Sequence, residues 1–275
     1  MKNLSWLVLV GFLLASCATS TAPVAAPTAA APEAPAAGEA ITLKVFAPST
    51  MTDAAKELGA TFEQANPGVK VAIEFGHSPT QRVQFTQGAT GDVFMTASQK
   101  DMNDAITDKT VVTGTAKVFA TNQLVVILPP SNPAKIEQLS DLAKSGVKLL
   151  LAAVDVPVGK LTQDVLVKMD QKLGGGFKDA VLKNVVSNEP GVKPIVSKIK
   201  LGEADAGIVF VSDAVAAPDL KTLEIPADLN MIARFNIGPL AAALQPDRAA
   251  AFVGFVMSAD GQAILKKWGF ATAKP

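Results

Sequence analysis

Four turns in this chain set hydroxyls and backbone amides where an anion can be held without an arginine. They are Ser49-Thr50-Met51-Thr52, Gly76-His77-Ser78-Pro79, Pro157-Val158-Gly159 and Glu189-Pro190-Gly191-Val192. Each follows a short apolar run and opens a helical pattern. The first turn of a helix presents unpaired N–H groups and partial positive charge, so it holds an anion without a full countercharge. Lys160 and Lys193 stand only at the far edges of these turns and read as solvated helix-start side chains. Two turns near residues 50 and 78, and two near 158 and 192, point to two lobes closing on one small oxyanion.

Neutral donors suffice for such a task. A hydrogen bond to a charged group contributes about 1.5–3 kcal/mol, and a helix end adds roughly 0.3–1 kcal/mol. About five or six such contacts reach about 10 kcal/mol before ordering and desolvation costs, against about 8 kcal/mol for micromolar binding. A shell of donors alone suits a fully deprotonated tetrahedral oxyanion. Phosphate near neutral pH carries a proton that would find no acceptor there.

Taken singly, these residues have plainer readings. Thr50 and Ser78 are ordinary helix caps. Val158 and Val192 read as core valines, and Phe210, at the end of an apolar run, as packing. His77, the single histidine, beside Ser78 offers a Ser–His nucleophile, but no acidic group lies in the adjacent sequence to orient it. What favours a site is that all of these positions fall at strand ends.

The elements that must hold them alternate. Ile41, Leu43 and Val45 alternate with polar residues, as do Val69, Val71, Ile73 and Phe75, the period of a strand. Helical spacing follows from Asp53 to Ala65, with a further helix started by Pro79 and capped by Ser78. Val93–Met95 reads as a short buried strand, and Met102, Ala105 and Ile106 mark the next helix. Gln123–Leu128 is an unbroken apolar run suited to a central strand. The alternation restarts with a strand at 148–153, helices at 160–173 and 177–183, a helix face of Val192, Ile195, Val196 and Ile199, and a buried strand at 207–211. Pro246 opens a helix, and another carries Ile264, Leu265 and Trp268. Such alternation predicts an α/β fold of mostly parallel sheets flanked by helices, with ligands beyond the carboxyl ends of the strands.

The N-terminus points to export. Lys2 precedes an apolar stretch from Leu4 to Ala15 that is too short to span a membrane and reads as a secretory signal, residues 1–16. Leu14-Ala15-Ser16-Cys17 resembles the lipobox of bacterial lipoproteins, which implies a lipid on Cys17. Residues 18–40 hold 11 Ala and 4 Pro, a composition that forms a tether rather than a core. Cys17 is the only cysteine, so no disulfide forms within one chain. With 25 basic and 25 acidic residues the chain has no basic footprint for nucleic acid. A single histidine and a single cysteine also argue against a site for a transition-metal cation.

Phe46–Thr52, Phe75–Ser78, Gly91–Ala97, Asn122–Val126, Val156–Gly159 and Gly207–Ala214, closing on Trp268-Gly269-Phe270, carry a resemblance. In that order they resemble the periplasmic molybdate-binding proteins of ABC importers, over essentially all of 41–275. The resemblance implies two α/β lobes joined by crossing strands, with the oxyanion in the cleft between them. One lobe would be 41–122 plus 237–275 and the other 123–236. It places hydroxyl contacts at Thr50 and Ser78, backbone amide contacts at Val158 and Val192, and a tyrosine hydroxyl at the position of Phe210. Phe210 cannot make that contact, so another donor, such as Ser49, is expected to fill its place.

The expected function is a lipid-anchored, extracytoplasmic protein that captures molybdate, and tungstate too, and delivers it to the permease of an ABC importer. It is expected to act as a monomer, without cofactor or catalysis, anchored to a bacterial membrane by the lipid on Cys17. The alternatives are another tetrahedral oxyanion such as sulfate, or a hydrolase using Ser78 and His77.

Overall fold

A computed structural model of the chain describes residues 41–272. The signal segment, Cys17 and the tether lie outside them. β1 (Ile41–Pro48) and β2 (Val69–Gly76) run parallel, in register from Ile41 against Val69 to Pro48 against Gly76. Their carboxyl ends therefore finish side by side, which brings two of the four turns together. A 3-10 turn, Ser49–Met51, leads into α1 (Thr52–Ala65), and β2 runs through His77 into α2 (Ser78–Thr86). β3 (Val93–Thr96) lies parallel to β1 on its other side, followed by α3 (Gln99–Thr107).

β4 (Lys117–Leu128) is longer than the run that predicted it. The second half of the chain then repeats the scheme. It contains β5 (Leu149–Ala152), α4 (Pro157–Leu173), α5 (Phe177–Lys183), β6 (Val185–Glu189), α6 (Val192–Lys200), β7 (Ala206–Phe210) and the short α7 (Val211–Val215). β5 pairs in parallel with both β6 and β7. β8 (Lys221–Glu224), β9 (Ile232–Pro239), α8 (Pro246–Met257), α9 (Ala259–Lys267) and β10 (Ala271–Thr272) complete the chain.

The strands form one curled mixed sheet in the order β2-β1-β3-β9-β4-β7-β5-β6, with β8 and β10 also paired to β4. The outer strands on both flanks are parallel, as the alternation predicted. The antiparallel pairs all involve β4 or β9. β4 is shared between the two flanks. Its residues 117–123 pair with β9, and 124–127 pair with β7. Asn122, Gln123 and Leu124 mark the change of partner, and side-chain amides stabilise it. The Gln123 amide donates to Asn122 Oδ1 (2.9 Å), and the Leu124 amide donates to Asn230 Oδ1 (3.1 Å).

Two boundaries differ from expectation. α4 starts at Pro157 rather than 160, because proline suits the first turn, where no amide bond is lost. Val211 belongs to α7, not to the strand before it, because the chain turns at Phe210. The core lies on both faces of the sheet. Phe46, Phe85 and Phe94 meet edge to face on one side, at 4.8 and 5.0 Å between ring centroids. Phe235 gathers Phe119, Phe210 and Phe270 on the other, at 6.4, 5.8 and 5.2 Å.

Candidate oxyanion site at the strand ends

All four turns meet at one small cavity of about 40 Å³. Thr50, Ser78, Val158, Val192 and Phe210 all line it, and so does Ser49. A water needs on the order of 10–15 Å³ of such space, so the cavity has room for a small ion. Among its walls are Ala97, directly after β3, and Gly191, neither of which was singled out as a contact from the sequence. Larger clefts open beside it, one of about 300 Å³ between α3, α4 and β9, but none of them gathers the four turns.

The helix starts around the cavity are left without side-chain caps: α1, α2, α4 and α6 have none. Elsewhere Ser98 caps α3 and Ser258 caps α9, while α5 and α8 also lack a side-chain cap. In α4 the first intrahelical bond runs from the Lys160 amide to the Val156 carbonyl, and in α2 from the Gln81 amide to the His77 carbonyl. The amides before those points, Val158 among them, have no partner inside the helix. An uncapped, inward-facing helix start is what an anion can satisfy.

The hydroxyls are not caps either, which corrects the expectation for Ser78. The N-cap of α2 is His77, and Ser78 is its first residue. Ser78 is buried, and its Oγ accepts from the Ala97 amide at 3.3 Å. The hydroxyl proton is thereby left to point elsewhere. Thr50 Oγ1 donates to Asp213 Oδ2 at 2.9 Å and lies 3.3 Å from Ser212 Oγ. Ser49 Oγ donates to the Gly76 carbonyl at 3.4 Å, tying the first turn to the second. Val158 and Val192 bury their side chains, each 4% exposed, while their amides sit in first turns.

Asp213, which holds the cavity residue Thr50, is a group that the sequence did not disclose. It lies on α7, fully buried, and Oδ2 also accepts from the Phe210 amide at 3.2 Å. Burial pushes its carboxyl up to about 7, against the pull of the Thr50 hydroxyl and of Lys193. A shell of donors alone is thus backed, one residue deeper, by an acceptor.

Contacts between the first and second halves of the chain surround the cavity. Besides Thr50 to Asp213, Lys193 Nζ lies 3.4 Å from Asp53 Oδ2, so this lysine is not merely solvated. Both partners are well exposed, and such a pair is worth little by itself. His77 packs on Gly191: a Cβ there would stand 2.8 Å from His77 Cε1. Gly191→Ala should therefore weaken anion capture by about 1 kcal/mol, and His77→Ala in the same chain should restore it. Equal affinities for the native protein and Gly191→Ala in a calorimetric titration would remove this contact from the closure. Among the described residues His77 makes no hydrogen bond to Ser78, whose Oγ is taken by the Ala97 amide.

Among the described residues no three His, Cys, Asp or Glu side chains cluster as a cation site. No described helix is long and apolar enough to cross a membrane.

Comparison with known proteins follows the same lines. A family profile described as bacterial extracellular solute-binding protein matches residues 43–271. The molybdate-binding protein ModA of Mycobacterium tuberculosis (strain H37Rv) is 33% identical over 244 residues, covering 88% of this chain and 89% of that protein. A solved structure, the substrate binding domain of a putative molybdenum ABC transporter from Clostridium difficile, superposes with a TM-score of 0.68 at 25% identity, covering 85% of this chain and all of that one. The periplasmic molybdate-binding protein of Azotobacter vinelandii shares the fold, with a TM-score of 0.73 at 20% identity, covering 84% of this chain and 100% of that one.

Proposed function

Because the chain belongs to the bacterial extracellular solute-binding protein family, we propose that it captures molybdate outside the cytoplasm and hands it to the permease of an ABC importer. Tungstate, of nearly the same size and charge, binds as well. One observation carries this reading: Thr50, Ser78, Val158, Val192 and Phe210, drawn from five separate strand ends, line one ion-sized cavity ringed by uncapped helix starts. The protein binds and releases without chemistry and needs no cofactor. Residues 41–122 with 237–275 form one lobe and 123–236 the other. Both boundaries fall inside β4 and β9, the crossing strands about which the cleft opens. The protein works as a monomer, held at a membrane by a lipid on Cys17.

Calorimetric titration of the purified folded domain with molybdate, tungstate, sulfate and phosphate tests the ligand. Molybdate and tungstate should bind with similar affinity, micromolar or tighter, which corresponds to about 8 kcal/mol or more. Sulfate, being smaller, should bind more weakly, and phosphate not measurably. Tighter binding of sulfate would give the site to that anion, and no binding of any of the four would end the oxyanion reading. For the anchor, Cys17→Ser should move the protein from the membrane to the soluble fraction. Mass spectrometry finding an unmodified mature chain that starts elsewhere would count against the lipid.

A further inference from the structure

The Thr50 hydroxyl has one proton and two claimants. A threonine offers a single O–H donor. That donor is spent on Asp213 Oδ2, 2.9 Å away. The oxygens behind it are already committed. Asn122 Nδ2 donates to Ser212 Oγ at 2.8 Å, so the Ser212 proton is free to be given to Thr50 Oγ1, 3.3 Å distant. The chain of donors runs from Asn122 through Ser212 and Thr50 and ends on Asp213. An oxyanion in the cavity needs the same Thr50 proton.

If Asp213 stays ionised while Thr50 turns to the ligand, a buried carboxylate retains one hydrogen bond, from the Phe210 amide. Its Oδ1 is buried with no partner at all. A dianion would then stand just beyond Thr50, repelling it. A buried charge left so poorly paired is costly and neutralises instead. Protonated, Asp213 can donate to Thr50 Oγ1 along the same 2.9 Å line, and Thr50 is released to donate to the oxyanion.

We propose that Asp213 is a positioning residue that sets the direction of the Thr50 hydroxyl, and that capture of an oxyanion draws a proton from solvent onto the Asp213 carboxyl wherever that carboxyl is ionised. This rests on the oxyanion function proposed above. The balance is simple: the carboxylate gains a proton, the Thr50 proton changes acceptor without leaving its oxygen, and nothing is oxidised or reduced. The charged groups facing Asp213 are Lys193 from α6 and Asp53 from α1, which form an ion pair at 3.4 Å. β4 and the 3-10 turn face it with the neutral Asn122, through Ser212, and Thr50. Burial pushes the Asp213 carboxyl up to about 7. Bound anion raises it further, so capture and proton uptake favour each other.

Molybdate affinity measured between about pH 6 and pH 9 tests this, because the free anion keeps its double charge over that span. The expected Kd is flat at the acid end and weakens about tenfold per pH unit above about 7. Titrations at about pH 8 in buffers of different ionisation enthalpy should count roughly one proton taken up per molybdate, and almost none at about pH 6. Asp213→Asn, which cannot take up a proton, should abolish both the slope and the uptake. A native protein that binds molybdate with constant affinity and no proton exchange would overturn the inference while leaving the function intact. So would an Asp213→Asn protein that keeps the native slope. Should that variant not fold, the native proton count decides by itself. No binding of molybdate at any pH would overturn the proposed function and this inference with it.

Discussion

Gly159→Ala should lower the melting temperature of the empty protein by about 4–12 °C and strip it of most of its oxyanion affinity. The reason is a close approach. A Cβ on residue 159 would stand 1.9 Å from the Ala153 carbonyl oxygen and 2.6 Å from that of Ala152. These are backbone atoms at the end of β5 and cannot swing aside as a side chain can. The start of α4 must move instead, at a cost of about 2–3 kcal/mol, which in a domain of this size is about 2–4 °C per kcal/mol. The Val158 amide moves with it, away from the cavity it helps to line. A melting curve of the empty variant and a molybdate titration read the two losses separately. Native melting and native affinity together would show that the turn relaxes freely and that its tightness is not what sets the amide.

Ser78→Ala should weaken molybdate binding about 10- to 100-fold, the equivalent of about 1.5–3 kcal/mol for a bond to a charged group. Ser78 Oγ accepts from the Ala97 amide, so its own proton is available to a ligand in the cavity. The same change leaves the buried Ala97 amide without an acceptor, which destabilises the fold by about 1–3 kcal/mol. The start of α2 should not loosen further, because the hydroxyl does not cap it. Ser78→Thr keeps the hydroxyl and should retain most of the affinity. If the Ala variant binds molybdate as the native protein does while melting earlier, Ser78 is a structural residue and not a ligand contact.

Much of this site was legible in the sequence, because local chemistry writes strand-to-helix junctions plainly. An apolar run followed by Ser49-Thr50, Gly76-His77-Ser78 or Pro157-Val158-Gly159 names a strand end and a helix start together. At 158 and 192 burial does not separate a core valine from one at the cavity. Each side chain packs in the core while its amide opens a helix at the cavity. The capping role given to Ser78 came from a local rule, and a tertiary partner, the Ala97 amide 19 residues away, claimed that oxygen instead. Asp213 was invisible for a related reason. It meets Thr50 across 163 residues, and no spacing along a chain encodes a contact between the ends of different strands. The first half of β4 was missed because Lys117, Thr121 and Asn122 interrupt its apolar run, although its buried residues still line the sheet.

The position of β9 between β3 and β4 bears on how the chain is made. Val93 pairs with Pro239, and Lys117 with Ile237, so the first sheet flank cannot close until residues far downstream have been synthesised. Joining ends so distant is entropically slow, and the pairs that close the first flank wait for β9. The first flank of the sheet stays incomplete until β9 emerges. For a polypeptide that must be threaded through a membrane before it folds, that delay is an advantage: the strand that completes the sheet also sets the time at which the sheet can form.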